Sequence, residues 1–319
     1  GNDNETKSCP FLIDFNIMGL LKAVKSSQNE YLQGTVFLSN LLFRDIRHEI
    51  NTRRIIRKGI PLCTSWNFEK YKKSDTLFIL GSGGSIADYS TEQFEVIKQH
   101  DSIGFNFWVL HEFLPTFLTL EFPDHSDRAT SLWNNLSLRS ADYADIPVIF
   151  KYSPAVEERC VKIPEELNKI FLATSLSIPG ISEGSFKKWL NFLQKKSYFS
   201  PRRESKSILY RQASLSWLIT FGLILEYKNI VLCGIDLNSP DYFFDRDKRY
   251  VEKKQLEIPD PGFTGKKHPT ESVEMSAFDT PVSRILAITR DVVLTPQGVR
   301  LWIGSRNSAL FPEFSLYKW

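Results

Sequence analysis

Residues 76–86, TLFILGSGGSI, decide how the chain is read. Thr76–Leu80 is a short apolar run that ends on a glycine–serine cluster. Such a run, bounded by turn residues, predicts a buried strand. Gly81, Ser82, Gly83, Gly84 and Ser85 then predict a sharp turn. Asp88 or Ser90 is placed to cap a helix over residues 92–99. Strand, glycine turn and helix together are a common way for α/β proteins to offer backbone N–H groups to a phosphate. The spacing is neither GxGxxG with its following acid nor GxxxxGK[ST]. A tight structural turn and a nucleotide turn therefore stand level until the rest of the chain is read.

Working outward, the strand–helix alternation continues to the end of the chain. Residues 102–107, 117–122, 148–152, 171–177, 229–233 and 291–295 read as strands. Residues 126–139, 155–170, 183–195, 213–227 and 276–289 read as helices, with a short one opening at 307–310. The basic stretch 200–211, SPRRESKSILYR, reads as a loop. This order predicts an α/β fold, Rossmann-like, with a mostly parallel sheet and helices on both faces. Ligands bind such sheets at the carboxyl ends of the strands. Residues 81–85, Asn106, Glu121 and Asp236 all fall at predicted strand ends, which raises the glycine turn above a purely structural one.

Residues 237–272 are too long for a plain connection and predict a lid after the Gly234-Ile235-Asp236 strand end. Tyr242, Phe243, Phe244 and His268 suit a segment that closes on a ligand. Before the first strand, residues 36–56 carry apolar side chains at nearer helical than strand spacing. Residues 1–74 are thus expected as a helical N-terminal extension, and residues 75–319 as the α/β domain. Within the extension, residues 53–58, RRIIRK, are basic and amphipathic. That is the pattern of a solvated helix end, or of a contact with an anionic glycan or membrane.

Composition narrows the classes. A chain of 319 residues suits one large α/β domain or two lobes. A net charge of +3 is too small to argue for nucleic acid. Cys9, Cys63, Cys160 and Cys233 form no CxxC pair or metal spacing, which suggests reduced thiols in a cytoplasmic protein. The polar start predicts no signal peptide, and residues 215–225 fall short of a membrane span of ~20 residues. The expected location is cytoplasmic or peripheral at the inner membrane.

Seven pieces in order carry a resemblance: GSGGS (81–85), GFNFW (104–108), RQAS (211–214), VLCGIDL (231–237), YFF (242–244), KKH (266–268) and RNSAL (306–310). Over residues 76–311 the chain resembles bacterial CMP-ulosonic-acid glycosyltransferases. These are the small lipooligosaccharide sialyltransferases and the related retaining β-Kdo transferases. The resemblance implies that residues 81–85 bind the CMP part of the donor. It implies donor contacts at Asn106, Arg211, Ser214, Asn238 and Tyr242, and a cytosine frame at Asn307 and Ser308. It makes His268 a general base on the lid. Four departures from the sialyltransferase pattern stand out: Ser82 for an asparagine, Gly84 for a proline, Asn238 for a tyrosine and Glu121 for an asparagine. They sit better with a Kdo transferase.

The chemistry agrees with these residue types. CMP-Kdo and CMP-sialic acid each carry a sugar carboxylate and a phosphodiester leaving group. Backbone N–H groups and hydroxyls can stabilise the departing phosphate without a metal, and Arg211 offers a two-point contact to a carboxylate or phosphate. Retention by double displacement needs a carboxylate nucleophile; Asp236 is the first candidate and Glu121 the second. Inversion needs only a base, the role His268 would take. The Asp245-Arg246-Asp247 triplet has metal-like spacing but reads as a solvated turn, so no metal site is expected. Partners are then a nucleotide-sugar donor and a glycan acceptor. A non-catalytic nucleotide- or glycan-binding module is the alternative of another class.

Overall fold

In a computed structural model of the chain, β1 (Thr76–Leu80) runs parallel between β2 (Asp101–Phe105) and β7 (Asn229–Cys233). The structure describes residues 29–60, 62–63, 68–121, 126–152, 163–200, 207–260, 271 and 280–319. Every residue of β1 is buried. Leu77 and Ile79 enter one apolar core, while Phe78 and Leu80 enter another. The period of two of a strand thus feeds both faces of the sheet. Each such side chain contributes about 1.5–3 kcal/mol on burial.

The sheet continues through β3 (Phe117–Leu120), β4 (Val148–Lys151), β5 (Ile170–Ser177) and β6 (Ser207–Tyr210) on one side of β1. On the other side, β8 (Arg300–Ile303) and β9 (Ser315–Leu316) follow β7. The order is β6-β5-β4-β3-β2-β1-β7-β8-β9, and all pairings are parallel. The chain leaves β1 toward one edge and returns through β7 toward the other. That reversal opens a crevice at the carboxyl ends of β1 and β7.

Helices cover both faces. One core takes in Ser214–Ile224, Glu183–Lys195, Val282–Thr289 and Phe37 and Leu41 of Glu30–Leu42. The other takes in Ile97 of Thr91–Gln99, Ala129, Leu132 and Leu136 of Ser126–Leu138, and Phe243 and Phe244. Ser90 opens Thr91–Gln99 with a capping box shared with Gln93. Asp88 instead ends the 3-10 turn Gly84–Asp88. Ser214–Ile224 is buried from Leu215 to Leu223, as suits a helix that is apolar all round.

Residues expected as an N-terminal extension supply the helices Glu30–Leu42 and Arg44–Arg57, which pack on β5. Beside them, Leu62 bridges Ile170 and the Cys63 N–H donates to the Ile170 carbonyl. No helix among the described residues is long and apolar enough to cross a membrane.

Several local readings are corrected. The stretch 200–211 is not all loop, because Ser207–Tyr210 is an edge strand on Thr174–Ser177. Its apolar core, Ile208 and Leu209, is only two residues long and is masked in sequence by flanking Arg and Lys. The helix read at 155–170 fails over 163–169, and Ile170 opens β5; residues 155–162 lie outside the described residues. Residues 291–295 are not a strand. Arg290–Leu294 is a π-helical turn continuing Val282–Thr289, and it buries Val292, Val293 and Leu294 in succession. The strands that close the sheet are β8 and β9. Residues 307–310 form turns rather than a helix.

Candidate functional site

The carboxyl ends of β1 and β7 are stitched together. The Gly81 N–H donates to the Cys233 carbonyl at 2.8 Å, and the Gly83 N–H to Gly234 at 2.9 Å. The Gly84 N–H donates to Asp241 at 2.9 Å. Ser85 donates its N–H to Asp236 Oδ2 at 2.8 Å and its hydroxyl to Oδ1 at 2.6 Å. These four N–H groups are therefore spent inside the protein and do not cradle a phosphate. Ser82 lines the cleft, and its N–H has no protein partner among the described residues. Glycine is required at residue 83 by proximity: a Cβ there would meet Asp236 Oδ2 at 2.6 Å and the Gly234 carbonyl at 2.7 Å.

A cleft of about 530 Å³ opens over these ends. Three non-glycine residues with left-handed backbone line it: Asn106 (φ 50°), Gln212 (φ 64°) and Leu237 (φ 61°). Such conformations are costly and concentrate where side chains must be aimed. Asn106 directly follows β2, and its side-chain oxygen accepts the Glu121 N–H at 2.9 Å. That bond turns the chain leaving β3 so that Glu121 lines the cleft.

The Glu121 carboxylate is held at both oxygens. Lys151 Nζ donates to Oε1 at 2.5 Å, and the Ser214 hydroxyl donates to Oε2. Lys151 ends β4, is buried, and lies 4.2 Å from the centre of the Tyr210 ring. Ser214 is the first residue of Ser214–Ile224, so the carboxylate also meets the positive end of that helix. Tyr242 pairs across to Gly83 and stacks on Phe244 at 4.9 Å between ring centres. Its hydroxyl accepts from Arg128 at 3.4 Å.

Asp236 borders a second, polar hollow of about 420 Å³, lined by Ser85, Asn238, Ser239, Arg246, Arg306 and Asn307. Arg246 bridges Asp88 at 3.5 Å and Asp241 at 3.3 Å and packs on Gly84, whose Cβ would lie 2.7 Å from its Nε. The Asn307 amide donates to Asp88 at 3.5 Å.

The two hollows bring together Ser82, Gly83, Ser85, Asn106, Glu121, Ser214, Asp236, Asn238, Tyr242 and Asn307. Gly81, Gly84, Arg211 and Ser308 line neither. Arg211 is buried, with its guanidinium donating to the Ile178 carbonyl at 3.0 Å and to Gly180. Desolvation lowers its pKa to about 10, and it ties down the loop after β5. Ser308 donates to the Ile235 carbonyl at 2.5 Å and so braces the β7 end from below. His268 lies outside the described residues.

Sequence reasoning did not single out Lys151, Arg128, Gln212, Arg246 or Arg306. Lys151 had a signal: a lone cation at the carboxyl end of a strand read correctly as apolar. The triplet 245–247 closes on its neighbours, since Asp245 accepts the Tyr242 N–H and Asp247 pairs with Arg249 at 2.5 Å. Among the described residues no group of three His, Cys, Asp or Glu side chains is placed to hold a metal. No protein-family model matches the chain, and no curated protein matches it.

Proposed function

We propose that the chain is a glycosyltransferase that moves Kdo from CMP-Kdo to a bacterial surface glycan with retention of configuration. The observation that carries this reading is Glu121, a carboxylate gripped by Lys151 and Ser214 in a cleft at the switch point of a parallel sheet. The ordered motifs shared with CMP-ulosonic-acid transferases supply the donor class. In this reading the fold is Rossmann-like, residues 237–272 are the lid, and residues 1–74 are an extension that serves the acceptor.

The polar hollow beside Asp236, with Arg246 and Arg306, takes the cytidine phosphate. The Ser82 N–H is the donor offered to the leaving phosphate oxygen. Lys151 meets the sugar carboxylate. A Glu121 oxygen attacks the anomeric carbon, the bond to the phosphate breaks, and CMP departs with the bonding pair. An acceptor hydroxyl then displaces Glu121 and loses its proton to a base, the role assigned to His268. Glu121 takes precedence over Asp236 here. Asp236 is only 5% exposed and both its oxygens are bound to Ser85, whereas 36% of the Glu121 side chain is exposed.

The double engagement of Glu121 favours a second reading, in which it only positions the donor. The enzyme would then be an inverting sialyltransferase using CMP-sialic acid, with His268 as base. Incubation with each donor and a glycan, with CMP release followed and the linkage assigned by NMR, separates the two. Kdo transfer with a Kdo-mass adduct on Glu121 supports the first; transfer of sialic acid alone supports the second. Consumption of neither donor, with CMP still raising the melting temperature, would leave a binding module.

A further inference from the structure

Helix Arg44–Arg57 is built inside out. Its buried side is mostly polar: Arg44, His48, Asn51 and Thr52, with Ile55. The His48 ring lies between Thr174 of β5 at 3.1 Å and Thr52 at 3.2 Å, and Arg44 stacks over Tyr198 at 5.3 Å. The outward side carries Ile46 (57% exposed) and Ile50, continuous with Leu42 (78% exposed) and Phe43 at the end of the preceding helix. Isolated exposed apolar residues are ordinary, but Leu42 with Phe43, then Ile46 and Ile50 at steps of about one turn, form a patch. A helix that turns its isoleucines outward and a histidine inward has an outer surface shaped for something other than water.

The charges on the same helix say what that is. It holds Arg44, Arg47, Arg53, Arg54 and Arg57 against Asp45 and Glu49. That excess alone equals the net charge of +3 of the whole chain. Arg53 and Arg57 are exposed one and two turns beyond Ile50, and Lys58 follows them. Apolar side chains that can sink between lipid tails, next to long cationic ones that reach headgroups, are the composition of an interfacial helix. A second copy of the chain fits less well. A two-fold contact that pairs the helices in parallel brings the arginines of both copies together.

We propose that Leu42, Phe43, Ile46 and Ile50, with Arg53 and Arg57, form a docking face for an anionic phospholipid surface. The inference does not depend on which sugar the cleft takes.

Sedimentation of the full chain with vesicles tests it. Vesicles of phosphatidylcholine containing one part in three of phosphatidylglycerol should bind the protein, and phosphatidylcholine alone should not. Half-molar salt should weaken the binding. Arg53→Glu with Arg57→Glu should weaken it by more than ~30-fold, and Leu42→Glu with Ile46→Glu should abolish it. All four residues are exposed, and the pair of Arg53 with Glu49 at 2.8 Å is a surface one, so the melting temperature should move little and its rise with CMP should stay at the parent value, which separates this result from any failure at the cleft. Equal binding to both vesicles, or to neither, would overturn the proposal. So would a concentration-dependent dimer that Leu42→Glu with Ile46→Glu disperses.

Discussion

Ser85 grips Asp236 with two hydrogen bonds, one to each carboxylate oxygen, across 151 residues of chain. The pair joins the turn after β1 to the bend after β7 and closes the floor between the two hollows. Asp236→Asn keeps an acceptor for one Ser85 donor and turns an amide toward the other. A buried donor left without a partner costs about 1–3 kcal/mol. Urea unfolding should show a loss of that size, and Asp236→Ala a larger one. If Asp236→Asn unfolded at the parental midpoint, the carboxylate would not be holding the turn.

Neighbouring glycines should differ sharply. At residue 83 an added methyl meets the fixed Asp236 carboxylate and the Gly234 carbonyl, both under 3 Å away. At residue 84 it meets the guanidinium of Arg246, a flexible, partly exposed side chain that can move by giving up its long ion pairs with Asp88 and Asp241. Gly83→Ala should therefore cost about 1–3 kcal/mol and abolish the thermal shift with CMP. Gly84→Ala should cost less and weaken the shift only in part. Differential scanning fluorimetry reads both.

Glu121 and Lys151 should behave as a unit. Glu121→Gln should lower transfer by at least ~100-fold while the protein stays folded. Lys151→Met leaves Glu121 with Ser214 alone, and should raise KM for the anionic donor more than it lowers kcat. Combined, the changes should cost less stability than the sum of the singles, because each single strands its partner. Additive losses in a double-mutant cycle would show that the two are not coupled.

His111 gives the fold a pH dependence. Its ring stacks on Trp108 at 4.4 Å and meets Phe243 edge-on, while Nδ1 accepts the Phe113 N–H at 2.9 Å. Desolvation, with the nearby Arg139 cation, lowers its pKa from 6.5 to about 3. The unfolded chain then binds a proton that the folded one refuses. Stability from this site is complete above pH 6.5 and falls as pH drops toward 3, by about 1.4 kcal/mol per unit. His111→Asn should remove that slope between pH 6 and 4. An unchanged slope would assign it to other groups.

Much of the frame was legible because strands end where their chemistry begins. The run 76–80, the turn after it, and the acids at residues 121 and 236 could be placed from short-range pattern alone. The rest depends on partners distant in sequence. β6 is a strand because Thr174–Ser177 offers it an edge, which its own Arg- and Lys-rich flanks conceal. Val292 and Val293 look like strand residues, yet their burial is helical. Arg211 sits in a basic stretch, but its guanidinium is spent on carbonyls 31 and 33 residues upstream. A glycine turn in sequence does not reveal which N–H groups its neighbour strand has already claimed.

The four N–H bonds that hold the glycine turn, three to backbone carbonyls and one to the Asp236 carboxylate, have a thermodynamic consequence. The turn is ordered when the chain folds, not when a ligand arrives. The entropy of fixing it is therefore absent from the binding equilibrium. Calorimetry of a nucleotide entering this crevice should report a small heat-capacity change, set by the surface covered and not by a loop freezing. Discrimination among nucleotides must then come from the few side chains that remain uncommitted around a rigid floor.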